Sequence, residues 1–110
     1  MQQPLQIHFH GMDRSEALEA RVRERMAELE QLCTGLTSGR VTVEKDHRQH
    51  IKGNLFAVTI HLHIRGQDFV INRLKDGHDD VHAAVRDAFD AAERQVKEHL
   101  RARRDAAKGQ

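Results

Sequence analysis

The chain has 110 residues, of which 38% are apolar and 32% charged; this suits one domain with its own core and excludes a disordered tail. Lys plus Arg number 18 and Asp plus Glu 17, so net charge selects no partner and only the placement of charge can. Cys33 is the single cysteine, which excludes an internal disulfide or a zinc ribbon, and no run approaches the ~20 apolar residues of a membrane span.

Leu5-Gln6-Ile7-His8-Phe9-His10 alternates apolar and polar residues, the period of a half-buried strand, and Gly11 ends it. Asp13 and Glu16 have capping-box spacing, with Ser15 as a rival N-cap. A helix then follows, with Leu18, Val22, Met26, Leu29 and Cys33 on one stripe and Gly35 as its stop. Val41–Glu44 reads as a second strand. Residues 47–54 are polar apart from Ile51, and Lys52-Gly53-Asn54 reads as a turn. Phe56, Val58, Ile60, Leu62 and Ile64 alternate with Ala57, Thr59, His61 and His63, which predicts a third strand. Gly66-Gln67-Asp68 reads as a hairpin turn, Phe69–Asn72 as a fourth strand, and Asp76-Gly77 as its end. Asp79 and Asp80 open the last helix, where negative charge suits the dipole. Its apolar stripe is Val81, Val85, Ala88, Phe89, Ala92, Val96 and Leu100.

The predicted order is β-α-β-β-β-α, an α+β fold. A four-stranded mixed sheet with both helices on one face would bury every apolar stripe. The first crossover makes strands one and two parallel. Residues 1–104 are read as one domain and 105–110 as a short flexible tail.

The charge is polarised. Residues 94–110 hold Arg94, Lys97, Arg101, Arg103, Arg104 and Lys108 against Glu98 and Asp105. On a helical wheel, Arg86, Arg94, Lys97, Arg101, Arg104 and Lys108 share one narrow sector away from the apolar stripe. Such a ridge can track a phosphate backbone. The bland reading is that cations at a helix C-terminus satisfy the dipole and keep the surface solvated. Asp79 and Asp90 fall in the same sector and weaken its first half. All four aromatics, Phe9, Phe56, Phe69 and Phe89, fall on core-facing positions, so a base-stacking platform is not expected.

The nine histidines are the compositional oddity. His8 and His10 share one strand face, and His61 and His63 share another. Both faces look away from the helices. Their strands need not be adjacent and no carboxylate stands in register, so neither a metal nor another cofactor is expected. A metal-dependent role through these four remains an alternative. Protonation predicts that affinity for a polyanion rises in mild acid. Cys33 lies on the apolar stripe, Asp46-His47 has no nucleophile with a local signature, and no glycine loop cradles phosphate, so catalysis is not expected.

Taken with the element order, Ser15-Glu16-Ala17-Leu18, Val22, Arg25 and Leu29-Glu30-Gln31, then Val43-Glu44-Lys45, then Asp80-Val81-His82-Ala83-Ala84-Val85 and Arg94-Gln95-Val96, the chain resembles a bacterial family. It is that of the small ribosome hibernation-promoting factors and ribosome-associated translation inhibitors, also called sigma-54 modulation proteins. The resemblance spans nearly the whole chain. It implies a cytoplasmic, non-enzymatic protein without a small-molecule substrate or membrane partner. Such a protein binds the small ribosomal subunit and its rRNA through basic helix residues and blocks the decoding region under stress. It implies Arg25 and Arg94 as RNA contacts and Lys45 as a third candidate, beside the ridge residues Arg86, Lys97, Arg101, Arg104 and Lys108. His82 stands where the family usually has tyrosine, and Glu28, Glu98 and Leu100 stand where lysine is frequent. The other reading is therefore a divergent regulatory or protein-interaction module of the same fold, with little or no ribosome binding.

Overall fold

The computed structural model describes residues 5–46, 55–75 and 81–108. β1 (Gln6–His10) turns Ile7 and Phe9 toward the core and leaves Gln6, His8 and His10 exposed. α1 (Glu16–Leu32) begins at Ser15, whose hydroxyl accepts from the Leu18 N–H at 3.2 Å. Ser15 is therefore the cap and Asp13 is not; such a bond contributes about 1 kcal/mol. The helix closes at Cys33, whose N–H donates to the Leu29 carbonyl at 2.9 Å, two residues before Gly35.

β2 (Leu36–Asp46) is much longer than the expected Val41–Glu44. A register shift between Leu36 and Ser38 lets a polar stretch that does not alternate still pair with the end of β3 (Leu55–Ile64). The Thr37 hydroxyl donates to the His63 carbonyl at 3.1 Å across that bulge. Gly39 on β2 leaves room for the Met26 side chain of α1: a Cβ there would stand 3.0 Å from the Met26 Cε.

The next turn is Arg65-Gly66, earlier than expected, with φ of 49° and 83°. Positive φ at both central residues matches the right-handed twist of the flanking strands. Gln67 and Asp68 consequently belong to β4 (Gln67–Lys75). α2 (Val81–Lys108) continues past Arg104. The expected turn at Lys52-Gly53-Asn54, the break at Asp76-Gly77 and the helix opening at Asp79-Asp80 lie outside the described residues.

The strands are ordered β1-β2-β3-β4, with β1 parallel to β2 and the other pairs antiparallel. This is the mixed α+β sheet that the patterning predicts. Leu18, Val22, Met26, Leu29 and Cys33 of the first helical region are buried, as are Val85, Ala88, Phe89, Ala92 and Val96 of α2. They meet Val41, Val43, Phe56, Val58, Ile60, Leu62 and Ile64 on one sheet face. Among the described residues nothing covers the opposite face. Phe89 is 0% exposed at the centre of this layer, and its truncation to alanine would cost about 3–5 kcal/mol.

Candidate nucleic-acid interface

α2 is 28 residues long, or about 42 Å at 1.5 Å per residue. Its apolar stripe needs a partner only over part of that length. Among the described residues Val96 is its last buried one, His99 and Leu100 are half-buried, and residues 101–106 are all exposed. The last turns therefore stand clear of the sheet, in a molecule 55 Å along its longest axis.

Arg86, Arg94, Lys97, Arg101 and Arg104 are all exposed. At about 100° per residue they span roughly 80° of the helix, opposite the side packed on the sheet. Lys97 Nζ lies 3.3 Å from Glu93 Oε1. Both groups are about half exposed, so the pair holds Lys97 only weakly. Among the described residues no carboxylate forms an ion pair with Arg86, Arg94, Arg101 or Arg104. Lys108 ends the helix, but its side chain lies outside the described set. Arg103 adds a cation that wheel reasoning alone passes over. It falls in line with the apolar stripe, yet it is exposed because the helix has already outrun the sheet. The free end of α2 is thus basic on more than one side. The signal for this was available: beyond Leu100 the sequence of α2 has no large apolar residue to pack.

Arg25 has a different place. It is buried at 8% exposure and its guanidinium bridges the two helices. Its Nη2 donates to Asp90 Oδ1 at 2.9 Å and lies 3.7 Å from Glu93 Oε2. Its Nε lies 3.3 Å from Glu28 Oε2, and its Cζ sits 5.7 Å from the centre of the Phe89 ring. A cation so enclosed closes the helix–helix junction and is not presented on the outer row. Arg25, which the resemblance implies as an RNA contact with Arg94, thus sits at the helix junction, apart from the outer row of α2. Asp90, which weakens the ridge on the wheel, is turned to account by the same contact.

Lys45 is also apart from the row. It stands in register with Phe56, which itself pairs with Lys75 at the far end of the sheet. The basic end of α2 lies near Phe69, where the His99 ring meets the phenyl edge at 5.0 Å. Phe69 pairs with Leu62, six residues or about 20 Å along β3 from Phe56. The structure therefore gathers Arg94, Lys97, Arg101 and Arg104, sets Arg86 two turns ahead of them, and separates Arg25 and Lys45.

The imidazole pairs do not converge. β2 lies between His8 and His10 on β1 and His61 and His63 on β3. Among the described residues no group of three or more His, Cys, Asp or Glu side chains is placed to hold a metal ion. Cys33 is buried in the core. Among the described residues no helix is long and apolar enough to cross a membrane. All four phenylalanines pack in or against the core.

The fold and the exposed cationic helix define a small α+β domain with a basic arm. The family described as sigma 54 modulation protein / S30EA ribosomal protein matches residues 5–104. The chain belongs to this family of ribosome-associated proteins. Two solved structures share the fold. One is a ribosomal subunit interface protein from Coxiella burnetii, with a TM-score of 0.72 and 14% identity over 87% of this chain and 96% of that one. The other is the Protein Y N-terminal domain of Thermus thermophilus, with a TM-score of 0.70 and 18% identity over 88% and 99%. No curated protein sequence gives a significant match.

Proposed function

We propose that the protein docks on the small ribosomal subunit, lays the outer row of α2 along rRNA phosphates and represses translation by occupying the decoding region. The action is steric, with no bond made or broken, and its place is the cytoplasm of stressed cells. The observation that carries this reading is the exposed row Arg94, Lys97, Arg101 and Arg104 on helical turns that stand free of the sheet. Family membership supports a ribosomal partner, and the name of the Coxiella burnetii neighbour points the same way.

A flexible cation row grips RNA by displacing counterions, so salt is the diagnostic variable. If six basic groups engage phosphates, log affinity falls against log salt with a slope of roughly −4 to −5. Sedimentation with purified small subunits at ~50 and ~200 mM salt measures this. Binding that is strong at the lower concentration and largely lost at the higher supports the reading. Absence of binding at both would favour the divergent regulatory module. Glu98 and Asp105, both exposed beside the row, are the residues that favour that second reading.

A further inference from the structure

The uncovered side of the sheet carries its own groups. A shallow groove of about 410 Å3 crosses it, lined by Gln6, Ser38, Arg40, His61, His63 and Asp68, with Val70 at its rim. Strand register explains why they meet. Arg40 on β2 pairs with Gln6 on β1 and with His61 on β3. Ser38 pairs with His63, and His63 with Asp68 on β4. Directly paired residues point to the same face.

The groups are held in order. Arg40 Nε donates to Gln6 Oε1 at 3.2 Å, which fixes the guanidinium and leaves its two terminal nitrogens for another acceptor. Among the described residues no carboxylate pairs with Arg40. His63 Nδ1 and Asp68 Oδ1 are 2.8 Å apart. With Nδ1–H donating to that carboxylate, Nε2 is left for a further partner. His8 and His10 extend the same face along β1, their ring centres 6.4 Å apart. Facing these imidazoles are Arg40 opposite His61, Asp68 opposite His63, Thr42 opposite His8 and Glu44 opposite His10. The helices and their charges lie on the other side of the sheet.

We infer that this face is a second RNA-binding surface, which takes phosphodiester groups on Arg40, His61 and His63 and is switched on by mild acid. With neutral imidazoles the described face holds one cation, Arg40, against the carboxylates of Glu44 and Asp68. Imidazoles as a class gain a proton as pH falls through about 6.5. Protonation of all four turns a slightly negative face into a cationic one. The cations lie on three neighbouring strands, so they form an open track and not a cup around one free phosphate. A chain of phosphates fits that shape. Val70, 53% exposed, is the large apolar side chain that the described surface leaves open, and it gives a ribose or base an apolar contact beside the track. The surface is independent of the α2 row, which faces the other way.

The test uses the full chain with Arg94→Glu, Lys97→Glu and Arg101→Glu, so that the helix row is silenced. Its affinity for a labelled single-stranded RNA of mixed sequence is measured by anisotropy at one low salt concentration, at about pH 7.5 and about pH 6. The expected result is binding that tightens about tenfold or more on acidification. Adding His61→Gln and His63→Gln should remove that gain, and Arg40→Gln should reduce binding at the lower pH. His82→Gln, on α2, should leave the gain intact. Thermal melts of each variant confirm folding. A flat pH profile overturns the inference, as does a gain that survives the double histidine replacement or vanishes with His82→Gln. Equal competition by millimolar AMP would also overturn it, since it would assign the groove to a free phosphate.

Discussion

The junction between the helices and the outer row of α2 hold the same kind of charge in opposite surroundings. Arg25 is enclosed, with three carboxylates and an aromatic face around one guanidinium. Arg94, Arg101 and Arg104, on the neighbouring helix, are exposed and face solvent. An enclosed cation acts on folding, because removing it leaves Asp90 without its partner and takes one of two cations from Glu93. An exposed cation costs folding little to keep or lose, and it is open to a polyanion, which is why the proposed rRNA contact is assigned to the outer row. Residue type therefore does not separate the two settings; the depth of the side chain does.

This contrast can be broken most strongly at Arg25. Arg25→Ala should lower unfolding stability by about 2–3 kcal/mol in chemical denaturation. The cost stays below that of a fully buried pair because Asp90 is 53% and Glu93 41% exposed and water can take over part of their solvation. Under conditions where this variant is folded, its affinity for small subunits and its salt slope should match those of the parent. A reduced slope would return Arg25 to the binding surface. Arg94→Ala should do the reverse. Stability should stay within about 0.5 kcal/mol, while affinity falls about tenfold and the salt slope shrinks by roughly 0.7 to 0.9. The smallest effect is expected at Glu93→Gln. It loosens two long or exposed contacts, Lys97 at 3.3 Å and Arg25 at 3.7 Å, and should change stability by only a few tenths of a kcal/mol. Releasing Lys97 should strengthen RNA binding slightly. A weaker complex would mean that Glu93 orders Lys97 for contact.

How far the sequence could be read follows the same division. Local periodicity located both helical stripes and the alternation of β3, because each buried residue announces itself by its spacing. It also placed the outer row of α2, since one helix carries all of it. Three features escaped. The extension of β2 depends on the bulge at Thr37, and a polar Thr-Ser-Gly stretch gives no alternation to follow. The burial of Arg25 depends on Asp90, 65 residues away, and no local pattern encodes that pairing. A hint was present: Arg25 lies between Val22 and Met26, at the margin of the α1 stripe, where a long side chain can reach a packed neighbour. Lys45 escaped for a related reason. Its distance from the α2 row is set by strand register, which emerges only when β2 and β3 pair.

The decisive measurement is co-sedimentation of the variant Arg94→Glu, Lys97→Glu, Arg101→Glu with purified small ribosomal subunits at low salt and at about pH 7.5, above the ordinary imidazole range. A row that grips rRNA predicts that the parent protein pellets with the subunits and the variant remains in the supernatant, an affinity loss on the order of a thousandfold. A folded variant that pellets as the parent does would contradict the assignment of α2 as the RNA-gripping surface.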